Sequence, residues 1–294
     1  MATYTVKPNQ NIYDVAIMLY GSIEGLFDLM ISNEWLNMTT ELRAGMELEY
    51  HDFFKVNDGI VSEIENNGYL AANGERHVYH KVTDQPLVFV FAIADSEEET
   101  MSFAVSAEGG TMIVDWGDNS PLEEVSLTTS VKKVEHWFDN RADKRRVRVY
   151  GDFQLITFDA SGIPGTVFAM RPVTVDEFSC NKNKYPLDAL FLFEGTYSVD
   201  LRGARVTDLT PVGSMSLQTL DLRDAQIGSE TIDEYLVYIV ENYGSRRDCT
   251  VLLTTEPSAV GMAAIQTIIG EESWNQSGHW VFNINGRIYT YTGE

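Results

Sequence analysis

The sequence predicts a multidomain α+β protein: a small β-α-α-β module, a middle β-sandwich, and a carboxy-terminal α/β solenoid with a cap. Three observations predict it. Within the first fifty residues, apolar spacing passes from alternation to two helical stretches and back to alternation. From Pro86 onward the chain breaks into short alternating runs separated by turn residues. Beyond residue 151, large apolar residues return at a period near 21. The expected divisions are 1–52, a helical and hairpin linker at 53–84, 85–150 and 151–294. A chain of 294 residues, 44% hydrophobic and 22% charged, has the length for several domains and the composition of a folded protein.

In the first module, "TYTVK" alternates as a strand does. "NIYDVAIMLYG" then places Ile12, Val15, Ala16 and Leu19 on one helical face, with Asn11 as N-cap and Gly21 as the C-terminal stop. "GLFDLMISN" repeats the helical period, and "GMELEY" alternates again. Residues 3–50 thereby resemble a LysM domain, on the strength of "YTVK", Ile12 and Ala16, Asn33 after the second helix, and the ending "LRAGMELEY". The resemblance implies two helices on one side of a two-stranded antiparallel sheet. It also implies N-acetylated glycan, or a docking partner, against two loops. By position those loops supply Lys7, Asn9, Gln10, Asn11 and Ile12, and Leu36, Asn37, Met38 and Thr39. Asn9, Gln10 and Asn11 replace the Gly-Asp-Thr common in that family.

The linker carries a short helical stretch, Ile60, Val61 and Ile64, ended by "NNG", and then a hairpin turn at Asn73-Gly74. His77 and His80 alternate on its strand without the third or fourth ligand that a metal site needs.

The middle segment reads as strands "PLVFVFAIA", "MSFAVSA", "TMIVDWGDNS", "VKKVEHWF" and "RRVRVYG". "VDWGDNS", followed by His136 and Phe138 in "VEHWF", resembles a PKD-type immunoglobulin-like sandwich, with Asp118-Asn119 at its tight turn. Asp115 and Asp118 are either calcium ligands or turn caps that accept backbone N–H groups, and capping is the favoured reading.

In the last segment, aligning 153–163, 175–185, 196–206 and 217–227 gives the apolar columns Ile156/Phe178/Val199/Leu220 and Phe158/Cys180/Leu201/Leu222. Repeats of this kind stack because no single one buries its apolar face. The pattern resembles leucine-rich repeats, with Ala204 and Ala225 where many carry Asn. A helix in "ETIDEYLVYIVENYG", strand "CTVLLTT", helix "SAVGMAAIQTIIG" and strand "HWVFNI" form the expected cap. The polar columns are Thr157/Ser179/Asp200/Asp221 and Asp159/Asn181/Arg202/Arg223. Asp200, Arg202, Asp221 and Arg223 are therefore the candidate repeat-face binding residues, and a merely solvated, ion-paired face is the equal alternative.

A net charge of -23 argues against nucleic acid as a partner. One basic cluster, Lys132, Lys133, Arg141, Lys144, Arg145, Arg146 and Arg148, is interrupted by Glu135, Asp139 and Asp143 and reads as a solvated hairpin or subunit contact. No apolar run reaches spanning length, and residues 1–20 lack a signal-peptide pattern, so folding in the cytoplasm is expected. Cys180 and Cys249 read as buried thiols rather than a disulfide. No nucleophile elbow, phosphate loop, dinucleotide fingerprint or zinc-protease motif is present. The expected function is accordingly non-enzymatic, with no cofactor and no metal. Tail-associated LysM proteins of phages and prophages resemble this arrangement. The resemblance implies a tail or baseplate component with protein partners, folded in the cytoplasm and then carried in the particle. The alternative is a cell-surface adhesin held to peptidoglycan.

Overall fold

A computed structural model of the chain describes residues 1–38, 40–71, 81, 83–94, 98–118, 120–139, 144–181, 187–242 and 248–292. Thr39, the Asn73-Gly74 turn, His77, His80, Asn119, Arg141 and Asp143 lie outside the described residues.

The amino-terminal segment is β-α-α-β. Strand β1 (Ala2–Thr5) pairs antiparallel with β2 (Glu47–Tyr50), Tyr4 opposite Leu48. Helix α1 (Ile12–Tyr20) starts where predicted, because Asn11 accepts from the Tyr13 and Asp14 N–H groups while Asp14 accepts from the Asn11 N–H. It stops at Gly21, whose φ of 71° is left-handed. A side chain at Gly21 would also meet the carbonyl oxygen of Asn57, the residue just ahead of Asp58. Helix α2 (Leu26–Ser32) follows one 3₁₀ turn, and α3 (Asp58–Asn67) packs on α1, capped by Asn57 and ended by Gly68. Val6, Ile12, Val15, Ala16, Leu19, Leu26, Leu29 and Leu48 form this segment's own core. Among the described residues no single helix is long and apolar enough to cross a membrane.

The rest is a mixed α/β body built on two sheets. Strands β3 (Leu87–Ile93), β5 (Thr111–Asp115), β6 (Glu123–Ser126), β8 (Arg145–Tyr150) and β10 (Thr166–Ala169) form an antiparallel five-stranded sheet in the order β10-β3-β8-β5-β6. Strands β4 (Thr100–Ala107), β7 (Lys132–Trp137) and β9 (Leu155–Asp159) belong to the second sheet, where β4 pairs antiparallel with both of the others. That sheet continues as parallel strands β11 (Val173–Ser179), β13 (Ser198–Asp200), β14 (Thr219–Leu222), β15 (Thr250–Leu253) and β16 (Val281–Ile284). A two-residue strand β12 (Phe193–Glu194) pairs with β11, and β17 (Arg287–Thr290) closes the far edge antiparallel to β16. Helices α4 (Thr210–Gly213), α5 (Ser229–Glu241) and α6 (Ala259–Gly270) connect the later strands.

The two sheets meet through aromatic side chains. Phe158 stands 5.1 Å from Phe89, 5.8 Å from Phe178 and 6.4 Å from Phe103 between ring centroids. One apolar core therefore runs from Val88 to Ile284, and both the ten-stranded sheet and this core cross residue 150.

One expected register is corrected. Phe178 pairs with Phe158 rather than Ile156, so the step from β9 to β11 is 20 residues, and the polar columns become Asp159/Ser179/Asp200/Asp221 and Ser161/Asn181/Arg202/Arg223. A slip of two residues leaves every side chain on its original face, so alternation cannot detect it. The columns Phe178/Val199/Leu220 and Cys180/Leu201/Leu222 stand as aligned.

Candidate functional site

Three groups of residues carry the chemistry: the loops of the amino-terminal segment, the tight turn around Asp118, and the polar column of the parallel sheet.

The first loop is turned inward. Asn9 adopts φ 64°, the left-handed region that glycine or asparagine enters most easily, and its N–H donates to the Asp139 carbonyl at 3.2 Å. Gln10 is 2% exposed. Its Oε1 accepts from Tyr4 Oη at 2.8 Å and from the Lys7 N–H at 2.7 Å, and its Nε2 donates to the Ala71 carbonyl at 3.1 Å. Lys7 reaches Glu99 at 2.6 Å and lies 5.9 Å from the centre of the Trp137 ring. Asn11 caps α1, and Ile12 is buried in the core. On the second loop Leu36 is buried, while Asn37 and Met38 are exposed; the Asn37 N–H donates to Thr40 Oγ1 at 2.9 Å. Trp137 covers Gly45, where φ is 86° and any Cβ would strike the indole.

Beside this contact, Arg43, Ala44, Trp116, Pro121, Glu123 and Trp137 line part of an open cleft of about 360 Å³. Trp116, Ser120 and His136, which flank or bond Asp118, also line it. That carboxylate is fully buried and accepts from His136 Nε2 (2.8 Å), the Asp139 N–H (2.8 Å) and the Ser120 N–H (2.8 Å). Burial pushes its pKa up, but the hydrogen bonds and the His136 interaction outweigh burial and hold it at about 2. The His136 ring stacks on Trp116 at 4.4 Å, and Trp116 Nε1 donates to Glu123 at 2.9 Å. Arg145 is buried, stacks over Phe138 at 3.9 Å and donates to the Gly117 carbonyl; burial brings its pKa down to about 10 against the opposing pull of Asp118. Asp115 receives Lys81 at 3.1 Å, the Gly117 N–H at 3.2 Å and Arg148 at 3.6 Å. Asp115 is thus held by two cations and a backbone donor, and Asp118 by the His136 ring and two backbone donors. Among the described residues no three His, Cys, Asp or Glu side chains gather as a metal site.

The basic cluster is divided in the fold. Arg145 is buried, Arg148 faces Asp115, and Lys133 pairs with Glu135 at 2.8 Å on the surface.

On the parallel sheet, Asp200 Oδ1 accepts the Arg202 N–H at 3.0 Å, and the Arg202 guanidinium folds back to grip both carboxylate oxygens, the shortest contact being 2.6 Å. Asp221 and Arg223 repeat the same motif, with a shortest contact of 2.6 Å. Between neighbouring strands the ion pairs join in one longer contact, Arg202 to Asp221 at 3.6 Å. Burial raises the Asp200 pKa, yet the bonds from Arg202 outweigh it and lower the pKa overall.

No protein-family model, curated protein or solved structure matches this chain.

One exposed apolar group belongs to none of the motifs in the sequence. Ile23, Phe27 and Ile31 are exposed along the second helical segment and Trp35 just past its end, while Leu26 and Leu29 belong to the core. The available signal was a helix apolar on both faces, more apolar than a one-sided core contact requires.

Proposed function

We propose that the chain is a non-enzymatic binding and structural protein of a phage or prophage tail. In this reading a LysM-like module (residues 1–52) docks to a protein partner. A PKD-like β-sandwich acts as spacer, and a leucine-rich-repeat-like solenoid presents Asp200, Arg202, Asp221 and Arg223 as a recognition face. The observation that carries the docking role is the use of the first loop within the chain itself: Lys7, Asn9 and Gln10 are bonded to Glu99, Asp139 and Ala71. A sugar entering there would have to displace these bonds, and unsatisfied buried polar groups are costly. The 21-residue steps from β11 to β13 and from β13 to β14, which put Phe178, Val199 and Leu220 in register, support the solenoid reading, while the steps on either side of them are 20 and 31 residues.

The test is retention of the full chain on insoluble peptidoglycan. The docking reading expects it to wash through; saturable retention that N-acetylated oligosaccharide competes away would replace docking with wall anchoring. Tail-structural genes beside the coding sequence are the expected neighbourhood, and a neighbourhood without them would count against the tail assignment.

A further inference from the structure

The second helical segment shows two apolar faces. Leu26 and Leu29 enter the module's core, whereas Ile23, Phe27 and Ile31 recur every four residues on the other side with exposures of 53%, 64% and 76%. Phe27 and Ile31, four apart within α2, share one stripe of that helix, and Ile23 opens the 3₁₀ turn that leads into it. Trp35, 52% exposed, follows just past the helix end. Four large apolar side chains left exposed within thirteen residues are the kind of surface that marks an interaction site.

Charge identifies the occupant. From Pro8 to Leu42 there is no Lys or Arg, while Asp14, Glu24, Asp28, Glu34 and Glu41 are present. Glu24 and Glu34 are exposed beside the stripe. Asp28 is engaged by Tyr20 Oη at 2.7 Å and His51 at 2.8 Å. Over residues 1–71, eleven acidic side chains face three basic ones, Lys7, Arg43 and Lys55. A second copy of the same stripe would bring Glu24 and Glu34 against like charges, because a two-fold contact is self-complementary. A neutral glycan leaves both the acids and the aliphatic Ile23 and Ile31 unmatched.

We infer that this stripe seats a cationic amphipathic helix of a different protein, its apolar side on Ile23, Phe27, Ile31 and Trp35 and its Lys or Arg residues against Glu24 and Glu34. The inference rests on the docking reading above and gives it a surface and a partner chemistry.

Calorimetric titration of the full chain tests it, using a synthetic Leu/Lys amphipathic helix of about 18 residues and a Leu/Glu helix of identical apolar pattern. The Leu/Lys peptide should bind and the Leu/Glu peptide should not. The double variant Phe27→Ser/Ile31→Ser should weaken binding at least about tenfold with the charge unchanged, and Glu24→Gln/Glu34→Gln should flatten its salt dependence. Both pairs are exposed, and circular dichroism matching the parent verifies the fold. Equal affinity of the parent and the Phe27→Ser/Ile31→Ser variant would overturn the inference as mere charge attraction. So would sedimentation showing a parent dimer that this variant loses, although docking would survive that result. Sugar-competed retention on peptidoglycan overturns the docking reading itself, so the two failures are distinguishable.

Discussion

The carboxamide of Asn33 pairs with the backbone of Glu49 in both directions: Nδ2 donates to the Glu49 carbonyl at 2.8 Å, and Oδ1 accepts the Glu49 N–H at 2.9 Å. The same Nδ2 donates to the Leu29 carbonyl at 2.8 Å, so one buried side chain ties the end of α2 to strand β2. Asn33→Ala removes these bonds and leaves buried backbone groups unpaired. It should cost roughly 1–3 kcal/mol, read as a lower chemical-denaturation midpoint; Asn33→Asp keeps the acceptor, loses the donors and should cost a similar amount. A midpoint unchanged in both would show that the bridge contributes nothing.

Asp118 gives acid sensitivity a location. Its carboxyl is held at about 2, against 3.8 when unperturbed. Between those values the unfolded chain binds the proton and the folded chain does not, so stability falls as pH drops from about 4 toward 2. The loss attributable to this group is on the order of 2 kcal/mol, from the free energy of a pKa shift. Asp118→Asn should lower stability at neutral pH and flatten the acid limb of the stability profile. An acid limb as steep in the variant as in the parent would place the sensitivity elsewhere.

Phe158 stands at the meeting of the two sheets, ringed by Phe89, Phe91, Phe103, Phe178 and Phe193. Phe158→Ala should cost about 3–5 kcal/mol through lost burial and the cavity left behind. Because its neighbours lie on both sides of residue 150, thermal unfolding followed by signals from the middle strands and from the parallel strands should shift together.

Both thiols are buried, and burial followed by the nearby Asp159 pushes the Cys180 pKa up to about 12. At about pH 8 neither cysteine should react with iodoacetamide in the folded protein, since the thiolate is the reactive form. Both should react fully in denaturing guanidinium chloride. Mass spectrometry of the alkylated protein makes the comparison, and ready labelling of Cys180 under native conditions would contradict the burial.

Much of the local structure was legible because its causes are local. The Asn11 cap, the Gly21 stop and the alternation in β3, β4, β5, β7 and β8 follow from residues a few positions apart. The charged strand β6 and the short strands β10 and β17 carried too little pattern to be read. Pairing was less legible still. Nothing in the sequence of β4 says that its neighbour is β9, and the two-residue register error at Ile156 shows that alternation identifies faces rather than partners. At the candidate site, Asn11 was readable as a cap. The burial of Gln10 was not, because it depends on Ala71, sixty-one residues away.

The strand order dictates a timetable for synthesis. As the chain leaves the ribosome, β3 can find β8, but its other edge stays bare until Thr166–Ala169 emerges as β10; β4 likewise waits for β9. A nascent chain stalled near residue 150 would hold two apolar strands with open edges, the condition under which chains pair with the wrong neighbour. Completion of the middle of this protein is therefore timed by the arrival of its carboxy-terminal half.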